Sequence, residues 1–273
     1  MMTAISQKPV LITFPPSLDS ELARCLLKHY GVDYEEKPHA FIFASIVTLC
    51  HAGTAVFPLL YSDSFKLIGP KPMADYFDPR SAPNMRLFGQ DAAEKQQIDS
   101  DWTLFNETLA FATARFAYYH LLPYRDLMIR PLSLGTPKFE ARAVEVAYPV
   151  FAGLLRTLLG LTAQKARESL DQVRKVFDTV DARLAVQKNL LVGDRLTLSD
   201  IAFAVAAAPM VLPPAYGGPI PSFDQMPAAV QAAVNEMRGR PAGAFALQIY
   251  AEQRIPPRAC DQSAQTRSFR QGD

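Results

Sequence analysis

The pattern of apolar residues changes once along the chain, and this change limits the folds that the chain can adopt. Residues 1–80 read as short apolar strands alternating with helices in the order β-α-β-α-β-β-α, beginning with the strand PVLITF. A polar, proline-containing stretch at 81–90 follows, and helical spacing alone recurs over 91–254. The sequence therefore predicts an α/β domain, a linker and an all-α domain, followed at 255–273 by a polar tail with the composition of disordered chain.

Charge and composition narrow the possible functions. The 28 Lys and Arg residues against 27 Asp and Glu leave a net charge of +1, without the basic excess that is typical of nucleic-acid binders. Hydrophobic residues make up 49% of the chain and charged residues 20%, which excludes a disordered chain. The glycines form no GxGxxG or GxxxxGK[ST] phosphate-binding loop. This composition indicates an apolar core, pocket or contact surface and a small-molecule or protein ligand.

The cysteines indicate a reducing compartment. Cys25, Cys50 and Cys260 form no CxxC motif, and an odd number does not suit a disulfide framework. No basic region followed by an apolar core occurs at the start, so we expect a cytoplasmic protein. The four histidines have no metal-ligand spacing with the cysteines, which predicts that no metal is bound. Cys25 and Cys50 end or lie on apolar stretches and are expected in the core.

One uncharged run needs an interpretation of its own. The 25 residues at 38–62 carry no formal charge and are long enough to span a bilayer. Two histidines, Gly53 and Pro58 interrupt the run. We therefore predict a buried helix followed by a strand, and no membrane span.

A helix-capping motif stands out in the second half, in the segment GDRLTLSDIA. Thr197 occupies the N-cap position, and Asp200 lies at the third helical position, where its carboxylate reaches back to the N-cap N–H. A negative charge there also suits the positive end of the helix. This spacing favours a structural role for Asp200 over a role as an acid or base.

The order of elements resembles the glutathione S-transferase superfamily, and four segments carry the resemblance. They are the first helix and second strand at 24–36, the VFPLL turn at 56–60, the capping motif at 193–202 and RGRPA at 238–242. The resemblance implies a thioredoxin-like N-terminal domain, a helical C-terminal domain, a homodimer and glutathione as the cofactor. It also implies transferase activity.

The resemblance places a candidate catalytic residue near the first helix. In this family a hydroxyl near the end of the first strand donates a hydrogen bond to the glutathione sulfur and so lowers the pKa of the thiol. Aligned through Arg24 and Gly31, the tyrosine position of the family falls on Thr13, and the serine position falls on Ser17. The resemblance thus implies Ser17 as the catalytic residue. The alternative is that Ser17 only caps the first helix, as serine often does.

The glutathione-binding positions match the family only in part. Phe57 and Pro58 correspond to a cis-proline turn whose backbone pairs with the peptide of glutathione. The family's acidic or amide residue followed by Ser or Thr falls on Gly69 and Pro70, which offer no side-chain partner to the γ-glutamyl end. Lys71 is a replacement contact for the carboxylate or an ordinary surface lysine. Glutathione as a cofactor is therefore doubtful.

The first long helix of the second domain lines the acceptor pocket in this family. Here it offers Asn106, Arg115, Tyr118 and Tyr119 as candidate substrate-binding residues. Arg115 and Tyr119 lie four residues apart and share a helix face, which suits an anionic or aromatic substrate. The alternative is an ordinary helix end with amphipathic aromatic residues.

These observations leave two main functions open. The first is a glutathione-transferase-like enzyme that joins a thiol to a hydrophobic electrophile or carries out lyase chemistry. The second is a glutathione-independent protein of the same fold that binds a hydrophobic small molecule, acts on it, or binds another protein through residues 40–51. Ser17 favours the first, and Gly69 with Pro70 favours the second.

Overall fold

The computed structural model describes residues 8–187 and 189–253, so the predicted disorder of the tail at 255–273 lies outside it. The α/β part follows the predicted order of elements. These are β1 (Val10–Thr13), α1 (Leu18–His29), β2 (Glu35–Pro38), α2 (Phe41–Ala52), β3 (Leu59–Tyr61), β4 (Lys66–Ile68) and α3 (Pro70–Phe77). Gly31 ends the turn after α1 with a φ of 67°, a conformation that glycine adopts without steric cost.

The four strands form one mixed sheet in the order β2-β1-β3-β4. Strand β1 is parallel to β2 and antiparallel to β3, which pairs antiparallel with β4. On one face, Leu11 and Leu60 pack against Ala23 and Leu27 of α1 and against Met73 of α3. The sheet and its covering helices have the predicted thioredoxin-like architecture.

The rest of the described chain is helical, which confirms the predicted fold class. The helices are α4 (Ala92–Trp102), α5 (Ala110–Leu121), α6 (Arg125–Ser133), α7 (Lys138–Val146), α8 (Tyr148–Leu158), α9 (Ala163–Gln187), α10 (Leu198–Val211), α11 (Ala228–Arg238) and α12 (Pro241–Gln253). Residues Thr103–Leu109, between α4 and α5, are π-helical. The domain boundaries inferred from the sequence stay a prediction.

The capping motif forms at the start of α10. Asp200 accepts hydrogen bonds from the N–H of Thr197 at 2.7 Å, from the Thr197 hydroxyl at 2.8 Å and from the N–H of Leu191 at 2.8 Å. Burial raises the pKa of Asp200 to about 6, although these hydrogen bonds favour its ionised form. The Asp200 carboxylate therefore has the structural role at the start of α10 that the sequence predicted.

The prediction for the uncharged run was wrong in one respect. Helix α2 forms, but only Ala44 and Thr48 are buried, while Ile46 and Leu49 are 51% and 54% exposed. Cys50 is also exposed, unlike Cys25, which lies in the core as expected. The run is apolar on all sides, so the sequence alone did not reveal which side faces outward. Among the described residues, no helix is both long and apolar enough to cross a bilayer.

A carboxylate from the helical part caps the first turn of α2. The side chain of Ala40, at the N-cap, accepts no hydrogen bond, and Glu140 of α7 takes over this role. One Glu140 oxygen accepts from the N–H of Ala40 at 2.8 Å, and the other lies 2.7 Å from Nδ1 of His39. These contacts join the start of α2 in the α/β part to α7 of the helical part through a buried carboxylate.

A second buried charge network lies between α1, β2 and the loop at 213–226. The Arg24 guanidinium lies 3.0 Å from Glu21 and 2.9 Å from Glu36, and all three side chains are nearly inaccessible to solvent. The other oxygen of Glu21 accepts the N–H of Gly217 at 2.8 Å. Burial raises the pKa of Glu21, and the Arg24 charge and this N–H partly oppose that rise.

Candidate functional site

A cavity of about 360 Å³ lies between the first helix of the α/β part and the helical part. Most of the side chains around it are apolar, contributed by α1, α2, α5, α6, α8, α10 and the loop at 213–226. A concave, mostly apolar space with a few polar groups is the usual form of a small-molecule site. This cavity is therefore the candidate functional site.

Ser17 lies at the cavity, where the chain enters α1. It is the N-cap of the helix, and its Oγ accepts the N–H of Ser20 at 3.4 Å, a long hydrogen bond. Its hydroxyl donates to no acceptor among the described residues, and it lines the cavity. The geometry therefore leaves both interpretations of Ser17 open, because capping occupies only its acceptor side.

Thr13 lies in a different environment. Its side chain is fully buried, and its hydroxyl donates to Oε1 of Glu36 at 2.8 Å. That glutamate also accepts from Arg24, so Thr13 belongs to the buried charge network and does not line the cavity.

An aromatic cluster lies at one side of the cavity. Phe14, Phe41 and Phe57 all line it, and their rings meet edge to face with centroids 5.5 to 5.8 Å apart. The Phe57–Pro58 peptide bond is cis, as the resemblance implied. Neither backbone group of Phe57 is hydrogen-bonded to another described residue, whereas the carbonyl of Pro58 accepts the N–H of Gly69 at 2.8 Å.

The positions expected to hold the γ-glutamyl end of glutathione offer few donors. Gly69, with φ 83°, is the N-cap of α3 and contributes no side chain. Pro70 and Pro72 remove two N–H groups from the first helical turn. The Lys71 ammonium lies 2.6 Å from Asp75 and 4.6 Å from the ring centroid of Phe88. None of these residues lines the cavity, and the arrangement does not fit the γ-glutamyl group.

The π-helical segment brings two polar side chains to the cavity. Asn106 and Glu107 both line it, and neither makes a side-chain hydrogen bond with another described residue. Wider π-helical turns inside α-helices are frequent at functional sites. The sequence predicted one continuous helix here, and it gave no signal for the π turn or for Glu107.

The other predicted substrate residues are divided between two places. Tyr118 lines the cavity, and its hydroxyl has no hydrogen-bond partner among the described residues. Arg115 instead donates to the carbonyl of Leu159 at 3.0 Å and lies over the ring of Phe111, and Tyr119 packs against His120. Arg115 and Tyr119 are not among the lining residues, so the structure does not bring them to the cavity.

Sequence reasoning missed Asp19 and the loop at 213–226. Asp19, in the first turn of α1, lines the cavity, and burial raises its pKa to about 6.

The loop at 213–226 covers the cavity through Tyr216, whose hydroxyl donates to the carbonyl of Pro16 at 3.2 Å. A side chain at Gly218 would collide with the backbone of Pro15, so this close approach requires glycine. The four prolines within this loop were the available sequence signal for an ordered cover.

The comparisons with known proteins agree with this architecture. The sequence profile of the glutathione S-transferase C-terminal domain matches residues 142–232. A glutathione S-transferase from Sinorhizobium meliloti 1021 superposes with a TM-score of 0.52, covering 89% of this chain and 93% of its own at 19% identity. Residues 142–232 therefore resemble the C-terminal domain of glutathione S-transferases in sequence, and the described chain shares the fold of these enzymes. No curated protein matches the sequence significantly.

Two further solved structures show the range of proteins on this fold. The β-etherase LigF from Sphingobium sp. strain SYK-6 has a TM-score of 0.56 and 15% identity, covering 90% of this chain and all of its own. A glutathione S-transferase from Methylobacterium radiotolerans JCM 2831, in complex with glutathione sulfonate, has a TM-score of 0.52 and 14% identity, covering 88% and 94%. At these identities the likeness establishes the shared fold of the superfamily.

No group of three or more His, Cys, Asp or Glu side chains is arranged to hold a metal ion in the described part of the chain. Cys25 is buried, and burial raises the pKa of its thiol well above the usual value. The polar side chains that line the cavity are Ser17, Asp19, Asn106, Glu107, Tyr118 and Tyr216.

Proposed function

We propose that this glutathione S-transferase-like protein binds a hydrophobic small molecule in the cavity, without holding glutathione in the manner of the family. The observation that carries the proposal is the difference between the lining of the cavity and the residues at the γ-glutamyl position. The cavity is lined largely by apolar side chains, whereas the γ-glutamyl position has Gly69, Pro70 and Pro72 in place of hydrogen-bonding groups. Binding of an apolar body needs no partner at that position, but a charged ligand end does.

Thermal unfolding tests this proposal, because a ligand of the folded state raises the midpoint by mass action. Octanol, an uncharged apolar probe, is expected to raise the midpoint in a saturable way. Glutathione at millimolar concentration is expected to leave it unchanged. A shift with glutathione but not with octanol would overturn the proposal.

A second candidate function is glutathione-dependent transfer to, or cleavage of, a hydrophobic molecule. Two observations favour it. The Ser17 hydroxyl borders the cavity and donates to no described residue, and the backbone groups of Phe57 form no hydrogen bond within the described part of the chain, which leaves them available to a peptide-like ligand. A homodimer in a cytoplasmic setting belongs to the same family-based proposal.

Substitution of Ser17 separates the two candidates. Ser17→Ala removes the cap and is expected to cost about 1 kcal/mol of stability. If Ser17 only caps, octanol binding stays the same and no glutathione-dependent activity is present to lose. If Ser17 acts on a thiol, a conjugation assay with a chromogenic aromatic electrophile detects turnover in the wild type, and Ser17→Ala reduces it at least about tenfold. Ser64→Ala, an exposed serine between β3 and β4, is the matched control.

A further inference from the structure

The cavity carries negative charge and no described positive charge. Asp19 and Glu107 line it, and no lysine, arginine or histidine is found among its described lining residues. Glu107 is exposed at the rim, whereas Asp19 is half-buried against the apolar wall. A bound molecule therefore meets carboxylates and apolar surface.

Asp19 differs from three buried carboxylates of this protein, each of which lies against a basic side chain. Glu21 pairs with Arg24, Asp101 with Arg183 at 2.6 Å, and Glu140 with His39. Asp19 forms no hydrogen bond and no ion pair with a described residue, although burial raises its pKa to about 6. Near neutral pH the group is still mostly ionised, so the fold leaves one desolvated charge beside the cavity.

Two further polar side chains, Asn106 and Tyr118, line the same cavity as Asp19. Neither the Tyr118 hydroxyl nor the Asn106 side chain forms a hydrogen bond with another described residue. Arg115, the residue that the sequence offered for an anionic substrate, is directed to the carbonyl of Leu159 and does not line the cavity. No side chain described in the cavity carries a positive charge that would neutralise an anion.

We propose that the cavity selects hydrophobic amines, with the apolar body of the ligand in the cavity and its protonated nitrogen at the Asp19 carboxylate. This inference rests on the proposed function and names its ligand class. An ammonium group supplies the donors that Asp19 lacks and recovers part of the cost of burying the carboxylate. An anionic ligand, including a thiolate held at Ser17, meets repulsion from the same group.

A series of ligands with one chain and three head groups tests the inference. Octylamine, octanol and octanoate are titrated into the wild-type protein by calorimetry near neutral pH and low salt. The expected order of affinity is amine, then alcohol, then carboxylate, with the amine about tenfold tighter than the alcohol. If octanol binds but octylamine binds no more tightly, the inference fails while the proposed function stands. If none of the three binds, the proposed function itself fails.

Replacing Asp19 with asparagine tests whether its negative charge causes the preference for amines. Asp19→Asn keeps the size of the side chain in the first turn, and it is expected to lower the affinity for octylamine about tenfold, to that of the same variant for octanol. Asp33→Asn serves as the control, because it removes the negative charge of an aspartate in the α/β part whose side chain is 85% exposed. An unchanged amine preference in Asp19→Asn would overturn the assignment to Asp19.

Discussion

Replacing Arg24 with methionine is expected to lower the free energy of unfolding by about 3–5 kcal/mol near neutral pH. Methionine retains much of the apolar stem but leaves Glu21 and Glu36 buried without their shared cation. Breaking one side of a buried ion network is costly because the remaining charges stay desolvated. Urea unfolding followed by fluorescence measures the loss.

One control variant and one further measurement define this result. Arg142→Met removes an arginine that is 71% exposed and paired with Glu145 on the surface, and it is expected to cost about 0.5 kcal/mol or less. Arg24→Met should also weaken octanol binding, because Glu21 holds the cavity loop through the N–H of Gly217. A loss below about 1 kcal/mol for Arg24→Met would contradict a stabilising role for the network.

Filling the cavity is expected to abolish ligand binding while the fold survives. Ala114 lies on α5 and lines the cavity, so the indole of Ala114→Trp enters the space that a ligand would occupy. We expect the affinity for octanol to fall by about 100-fold or more, equivalent to about 2.7 kcal/mol. Stability should change little because the new side chain fills a space already present in the fold.

Calorimetry with octanol measures this effect, and unfolding by urea verifies that the variant folds. Ala182→Trp places the same side chain on an exposed position of α9 and is expected to bind octanol as the wild type does. Equal octanol affinity in Ala114→Trp and the wild type would mean that ligands bind elsewhere.

Local patterns accounted for the fold class and for some of the site. The Thr197–Asp200 cap depends on four neighbouring residues, so the sequence contains all of its geometry. The position of Ser17 at the start of α1 was likewise a matter of local helix signals. These predictions succeeded because they depend on short-range hydrogen bonds and on hydrophobic periodicity.

The remaining features depend on contacts between residues far apart in the chain. Asp19 looked like an ordinary acidic residue of a first helical turn, and its place in the wall of a cavity built from distant segments could not be predicted from its sequence neighbours. The cap that Glu140 gives to α2 joins residues 100 positions apart. The exposure of Leu49 and Cys50 could not be predicted, because an all-apolar helix carries no periodic signal for its outer face.

The most direct test of the central claim is methyl NMR of isotope-labelled methionines during titration with octanol and with glutathione. Met128 and Met226 line the cavity, whereas Met73 lies buried beside the sheet. We predict that octanol moves the methyl signals of Met128 and Met226 in a saturable way and leaves that of Met73 in place, and that glutathione moves none of them. Signals of Met128 and Met226 that stay fixed with octanol, or that move with glutathione alone, would contradict the account.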